Sequence, residues 1–121
     1  MPATIGHNII GGAFSAAGSV VHKSHDATTG EALPYDFIQA TPEEVDAAAK
    51  AAAAAYPTYR SLPAAKRAEF LDAIADELDA LGDEFVATVC RETALPTARI
   101  QGERGRTSGQ MRLCLLYTSP S

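Results

Sequence analysis

Apolar and polar positions alternate irregularly with a period near two over the first third of the chain, then switch at Thr41 to a period near 3.6. From Ile5 to Ile38 the chain is rich in Gly, Ser, Thr and β-branched residues, with HNIIGGAF and SVVHKSH lying on either side of Gly18. That pattern predicts a β-hairpin reversing near Gly18. DATTGEAL follows, in which Thr28, Thr29 and Gly30 supply turn chemistry, and YDFIQA is a third extended stretch.

Helical punctuation begins at TPEE. Thr41 is an N-cap, Pro42 suits the first helical position where its missing N–H costs nothing, and Glu44 completes a capping box. Val45, Ala48, Ala49, Ala52 and Tyr56 fall on one expected buried face, and Pro57 is expected to end the helix within a residue or two. Pro63 is placed in the first turn of a second helix. Its apolar row is Phe70, Leu71, Ile74, Leu78 and Leu81, with Lys66, Arg67, Glu69, Asp72, Asp76 and Asp79 opposite. Gly82 is a natural helix stop. A third helix starts near Asp83, with Phe85, Val86, Val89 and Cys90 on its buried stripe.

LPTARIQGERGRTSGQMRL is less regular. Pro96 suits a first helical turn, but Gly102, Gly105 and Gly109 each cost roughly 1 kcal/mol against alanine in a helix interior. Such a helix is expected to need a partner packed close against its glycine face. A phosphate-binding loop is excluded, because neither G-x-G-x-x-G nor a Lys-Ser/Thr ending occurs. An arginine-glycine nucleic-acid segment fits poorly. Glu103 sits among Arg99, Arg104, Arg106 and Arg112, and no aromatic is interleaved.

Composition narrows the classes. The chain has 121 residues and a formal net charge of -5, which bounds it to one small domain and argues against nucleic acid as a partner. With 46% hydrophobic and 21% charged residues it reads as globular, without a run long enough to span a bilayer. The start MPATIGHNIIGGAF has no basic region followed by an apolar core, so the cytoplasm is the expected compartment. Cys90 and Cys114 have neither metal-ligand spacing nor a disulfide framework. Cys90 is expected to be core packing and not a nucleophile.

In order, the Gly-Gly reversal, the TGE turn, the stretch from ATPEEV to LGDEF and the ET-x-LP junction resemble the N-terminal region of the aldehyde dehydrogenase superfamily, over about Ile9 to Leu113. Asp26 stands where that family commonly has proline, and Ala94 where it commonly has glycine. ARIQGERGRTSGQMRL is similar to the branch that oxidises α-ketoglutaric semialdehyde (2,5-dioxopentanoate) to α-ketoglutarate with NADP. The resemblance implies an α/β parent fold with a Rossmann-like cofactor domain, of which residues 1–113 would be an N-terminal β-hairpin followed by about four α-helices. It implies NADP or NAD as cofactor, a small aldehyde as substrate and a homo-oligomeric enzyme, with neither nucleic acid nor membrane as partner. The family's thiolate nucleophile, water-activating glutamate and cofactor turn belong to motifs that this sequence does not contain. No catalytic, cofactor-binding or metal-binding residue is therefore assigned to it, and the piece alone is expected to be inactive and to bind no cofactor.

Residues 114–121, CLLYTSPS, break the pattern, so the last helix is expected to stop at Leu113. The codons TGT CTC TTA TAC ACA TCT CCG AGC encode this tail and resemble a transposon-end sequencing adapter, so the tail is expected to be an artefact. A free-standing helical interaction module is the other class open to the residues alone.

Overall fold

The computed structural model describes the backbone of residues 4–118 and the side chains of residues 6–113. They form two compact units, divided between Arg60 and Ser61.

In the first unit, HNIIGGAF folds back on itself. β2 (Asn8–Ile10) and β3 (Ala13–Ser15) pair antiparallel, Asn8 with Ser15 and Ile9 with Phe14. The reversal is at Gly11 and Gly12, with φ of 59° and 81°. A two-residue hairpin turn with both central φ positive matches strand twist, and glycine adopts it without a Cβ penalty. The reversal thus falls at the Gly-Gly pair named in the family resemblance and not at Gly18, which corrects the periodicity-based placement. Gly18 instead marks a close approach, since a Cβ there would lie 2.2 Å from the Gln39 carbonyl oxygen.

A separate three-stranded sheet has the order β1-β5-β4, formed by β1 (Thr4–Gly6), β4 (Val21–His25) and β5 (Ala32–Ile38). β5 is the centre, parallel to β1 and antiparallel to β4. DATTGE is the β4–β5 turn. The Asp26 carboxylate accepts the N–H groups of Thr28 at 2.8 Å and Thr29 at 3.0 Å, while Gly30 takes φ 75°. Asp26 thus organises the turn by hydrogen bonds where a proline would do so by fixing φ. Lys23 and Asp36, opposite one another on β4 and β5, form an ion pair.

α1 (Pro42–Ser61) starts on the predicted capping box: the Glu44 N–H donates to Thr41 Oγ1 at 3.1 Å, and the Thr41 N–H donates to Glu44 Oε1 at 3.0 Å. Two expectations fail here. The helix passes through Pro57 to Ser61 instead of ending. Residues 52–60 are exposed, so a carbonyl deprived of its partner by proline can be hydrated. The covered line is Glu44, Ala48 and Ala51, whereas Val45 is 60% and Tyr56 59% exposed. Glu44 sets the helix phase by turning onto Ser15 and Ala17.

The second unit holds α2 (Ala64–Ala80), α3 (Gly82–Thr93) and α4 (Thr97–Thr118). Pro63 and Pro96 sit just before their helices, each carbonyl accepting the first backbone bonds. Gly82, φ 69°, follows the last residue of the α2 cap as predicted. α2 and α4 pack side by side and antiparallel, because Arg104 donates to the Gly82 carbonyl at 3.0 Å while Arg112 reaches back to Asp72, Asp76 and Asp79. The α2 side of the seam is buried at small residues. Ala68 and Ala75 of α2 are buried, as are Ile100 and Ser108 of α4 and Val86 of α3.

The seam corrects the expected buried face of α2 at Phe70 and Leu81, and leaves the glycine face of α4 without the close partner it was expected to need. In α2 the row is split: Phe70 is 53% and Leu81 50% exposed, whereas Leu71, Ile74 and Leu78 are half-buried, and the alanines, which permit closer helix approach, are the fully covered residues. In α4, Gly102, Gly105 and Gly109 lie opposite the buried Ile100–Ser108 line, and a Cβ at any of them would meet nothing within 4 Å among the described residues. The glycine face is open in this chain, so Gly105→Ala is expected to raise its stability by up to about 1 kcal/mol through helix propensity. A lower urea midpoint for that variant would show that the face is in close contact. α3 follows the prediction: Val86 is buried, and Phe85, Val89 and Cys90 are half-buried.

Two helix ends remain. α3 closes on Ala94 at φ 59°, ψ 18°, whose N–H donates to the Cys90 carbonyl. A left-handed alanine is strained by its Cβ, so Ala94→Gly is expected to stabilise by about 0.5–1 kcal/mol in chemical denaturation. α4 does not stop at Leu113 but keeps helical backbone to Thr118, because Leu115 and Leu116 are good helix formers and no proline intervenes before Pro120. Residues 119–121, and the side chains of 114–118, lie outside the described residues.

Candidate functional site

Two side-chain clusters and one cysteine are the features of interest among the described residues. The first is centred on Glu44, whose side chain is buried although charged. Its carboxylate accepts the Ser15 hydroxyl, the Thr41 N–H and, at 3.4 Å, the Ala17 N–H. The Ser15 hydrogen bond, then that of the Thr41 backbone, hold its pKa below the ordinary value of 4.5 against the opposing effect of burial. This carboxylate closes the α1 N-terminus and ties β3 to it at once. Its chemistry is structural, since every strong donor around it comes from the chain itself.

The second cluster joins α2 and α4. The Arg112 guanidinium lies 2.8 Å from Asp76, 2.9 Å from Asp79 and 3.7 Å from Asp72. Spacings of three and four residues put the three carboxylates on one side of α2. Ser108 sits beside them, and its single hydroxyl proton has the Arg104 carbonyl at 3.2 Å, the Gly105 carbonyl at 3.4 Å and the Asp79 carboxylate as competing acceptors. A charged acceptor makes the stronger bond. Ser108 first, then Arg112, holds the Asp79 carboxyl below its ordinary range, and the carboxylates of Asp76 and Asp79 hold Arg112 more firmly protonated. These acids were expected on a solvated face. The signal for the cluster was their 72, 76, 79 spacing with a distant arginine, which no local pattern can pair.

The third feature is Cys90. It is half-buried, with its Sγ 4.0 Å from the Thr97 hydroxyl. Of the histidines, His22 bonds Gln39 through Nε2 at 2.8 Å and His7 stacks obliquely near the Phe14 ring. Among the described residues no group of three His, Cys, Asp or Glu side chains is placed to hold a metal ion, and no helix is long and apolar enough to cross a membrane. GERGRT, the most distinctive motif of the sequence, lies wholly inside α4. Its glycine N–H groups lie in the helix interior, where the backbone ladder uses them, so they do not form a phosphate cradle.

A sequence profile of the Aldehyde dehydrogenase family matches residues 15–118, which takes in five residues beyond Leu113. The chain is similar to alpha-ketoglutaric semialdehyde dehydrogenase 2 of Azospirillum brasilense, 43% identical over 109 residues that make up 89% of this chain and 21% of that protein. It is also 42% identical over 108 residues to alpha-ketoglutaric semialdehyde dehydrogenase of Acinetobacter baylyi, covering 89% of this chain and 20% of that protein. The chain spans about a fifth of the length of these curated relatives.

Proposed function

The chain belongs to the aldehyde dehydrogenase family, and from that membership we propose that it is the N-terminal part of an NAD(P)-dependent enzyme oxidising α-ketoglutaric semialdehyde to α-ketoglutarate. The observation that carries the substrate is the 43% identity to a protein of that name, together with the GERGRTSGQMRL stretch. Family membership also weighs against a free-standing interaction module.

Within such an enzyme this chain's residues do scaffold work. Arg104 closes the carbonyl end of α2 through Gly82, and Arg112 fastens α4 to the acidic side of α2. The motif that marks the substrate branch thus contributes packing, and substrate and nicotinamide chemistry belong to residues of the remaining polypeptide. The GERGRT glycines are helical and offer the cofactor's phosphates no cradle, which supports assigning the cofactor to the remaining polypeptide. A Rossmann-like parent domain, a cytoplasmic homo-oligomer and an inert isolated piece complete the reading. Residues 114–121 are read as adapter-derived, a point decided by whether their codons in the source genome encode the same tail.

The test is the full-length enzyme rebuilt from that genome. Its kcat/KM for α-ketoglutaric semialdehyde should exceed that for acetaldehyde. Equal or better turnover of acetaldehyde would overturn the substrate reading, and parallel assays with NADP and NAD assign the cofactor.

A further inference from the structure

In a chain with fifteen aspartates and glutamates against ten lysines and arginines, a cation would be expected to find a partner. Arg106 does not. Every other lysine and arginine has a hydrogen bond, an ion pair or a ring contact, whereas the exposed Arg106 guanidinium has none among the described residues. Glu103, three residues back and within reach along the helix, is turned the other way and accepts Arg99 Nε at 2.9 Å. Arg106 instead lines a pocket of about 320 Å³ on α4 with Glu103, Thr107, Gln110 and Met111. Gln110 follows it by four residues, which puts amide and guanidinium on one side of the helix, and the Gln110 amide also has no partner among the described residues. The Thr107 hydroxyl is committed to the Glu103 carbonyl at 3.0 Å. Two unengaged sets of N–H donors therefore converge on one pocket.

We propose that Arg106, with Gln110 beside it, binds the carboxylate of the substrate, the end of the molecule that does not react. The inference rests on the α-ketoglutaric semialdehyde reading above. That aldehyde keeps a carboxylate throughout its oxidation, and a carboxylate leaving water for a binding site needs a cation or several donors in place of its hydration. A guanidinium supplies both, in a planar fork that matches the two oxygens. The Glu103 carboxylate in the same pocket is already paired with Arg99, so it does not claim the charge of Arg106. GERGRT then divides between two tasks: Arg104 is spent on the Gly82 carbonyl, and Arg106, two residues on, is left for a ligand. The reacting aldehyde and the nicotinamide stay with the remaining polypeptide. An aldehyde without the carboxylate would leave the guanidinium unpaired in the bound state, which is how a polar site rejects an analogue that lacks its partner group.

The experiment uses the full-length enzyme and two aldehydes, α-ketoglutaric semialdehyde and levulinaldehyde, which has a methyl group in place of the carboxylate. In Arg106→Gln the ratio of their kcat/KM values should fall at least about tenfold from that of the wild type, the order expected for lost hydrogen bonds to a charged group. The carboxylate is the same in substrate and transition state, so the loss should appear mainly in the KM for α-ketoglutaric semialdehyde. A partly misfolded variant loses both activities together and leaves the ratio where it was. Arg106→Lys keeps the charge without the fork, should fall between the two, and carries the test if the Gln variant does not accumulate. An unchanged ratio in either variant would overturn the proposal. So would a raised KM for the nicotinamide cofactor with an unchanged ratio, which would give Arg106 to a cofactor phosphate. The wild-type preference tests the substrate reading separately: a wild type that favours α-ketoglutaric semialdehyde, with a ratio indifferent to Arg106, would keep that reading and remove this one, whereas a wild type with no preference would remove both.

Discussion

Replacing Ala75 with leucine is expected to lower the stability of the chain by about 1–3 kcal/mol, the usual consequence of forcing extra carbons into a packed interior. Ala75 has no exposed surface and lies on the face of α2 that meets α4. Leucine and alanine differ little in helix propensity, so the loss would come from the seam. Ala73→Leu supplies the contrast. Ala73 is exposed beside Phe70 and Ile74 on the same helix, and the substitution there should stay within about 0.5 kcal/mol. Urea midpoints of the two variants, followed by far-ultraviolet circular dichroism, measure the difference. If both variants melt alike, the alanine line is not the contact between the helices.

That contrast also shows where sequence pattern and structure part. Helix existence was legible from punctuation: Thr41, Pro42 and Glu44 open α1, Pro63 and Pro96 stand before α2 and α4, and Gly82 divides α2 from α3. Local chemistry decides such boundaries. Which face of each helix is covered was much less legible, because hydrophobicity ranks Phe70 and Leu81 above Ala68 and Ala75 while close packing between these two helices selects the small residues. Phe70 and Leu81 are exposed in a chain that spans a fifth of its relatives. Periodicity identifies a face fit for burial and cannot say whether the partner lies within 121 residues. The sheet shows the same division. DATTGE was recognisable as a turn, but the β1–β5 parallel pairing joins residues 31 positions apart, as Thr4 with Tyr35, and has no local signature. No candidate catalytic site was assigned from the sequence. The polar clusters that order the chain, Glu44 with Ser15 and Arg112 with three aspartates, depend on contacts between distant segments that neither periodicity nor motif spacing records.

Acid should weaken the first unit through Glu44. Its folded pKa lies below the ordinary value of 4.5, so the folded state favours the carboxylate more than the unfolded chain does. The stabilisation is therefore fully present above pH 4.5 and is lost as pH falls through the lower folded value. Glu44→Gln keeps the length of the side chain and one carbonyl acceptor but removes the charge that Ser15, Thr41 and Ala17 all address. It also weakens the match between a negative side chain and the positive end of α1. The variant should be less stable than the parent at pH 7, and the gap should narrow steadily below pH 4.5 as the parent's carboxylate takes up its proton. Denaturation midpoints of both proteins at a series of pH values between 7 and 3 read this directly. A gap that stays constant across that range would mean that shape and hydrogen-bond count, not the carboxylate charge, hold β3 to the start of α1.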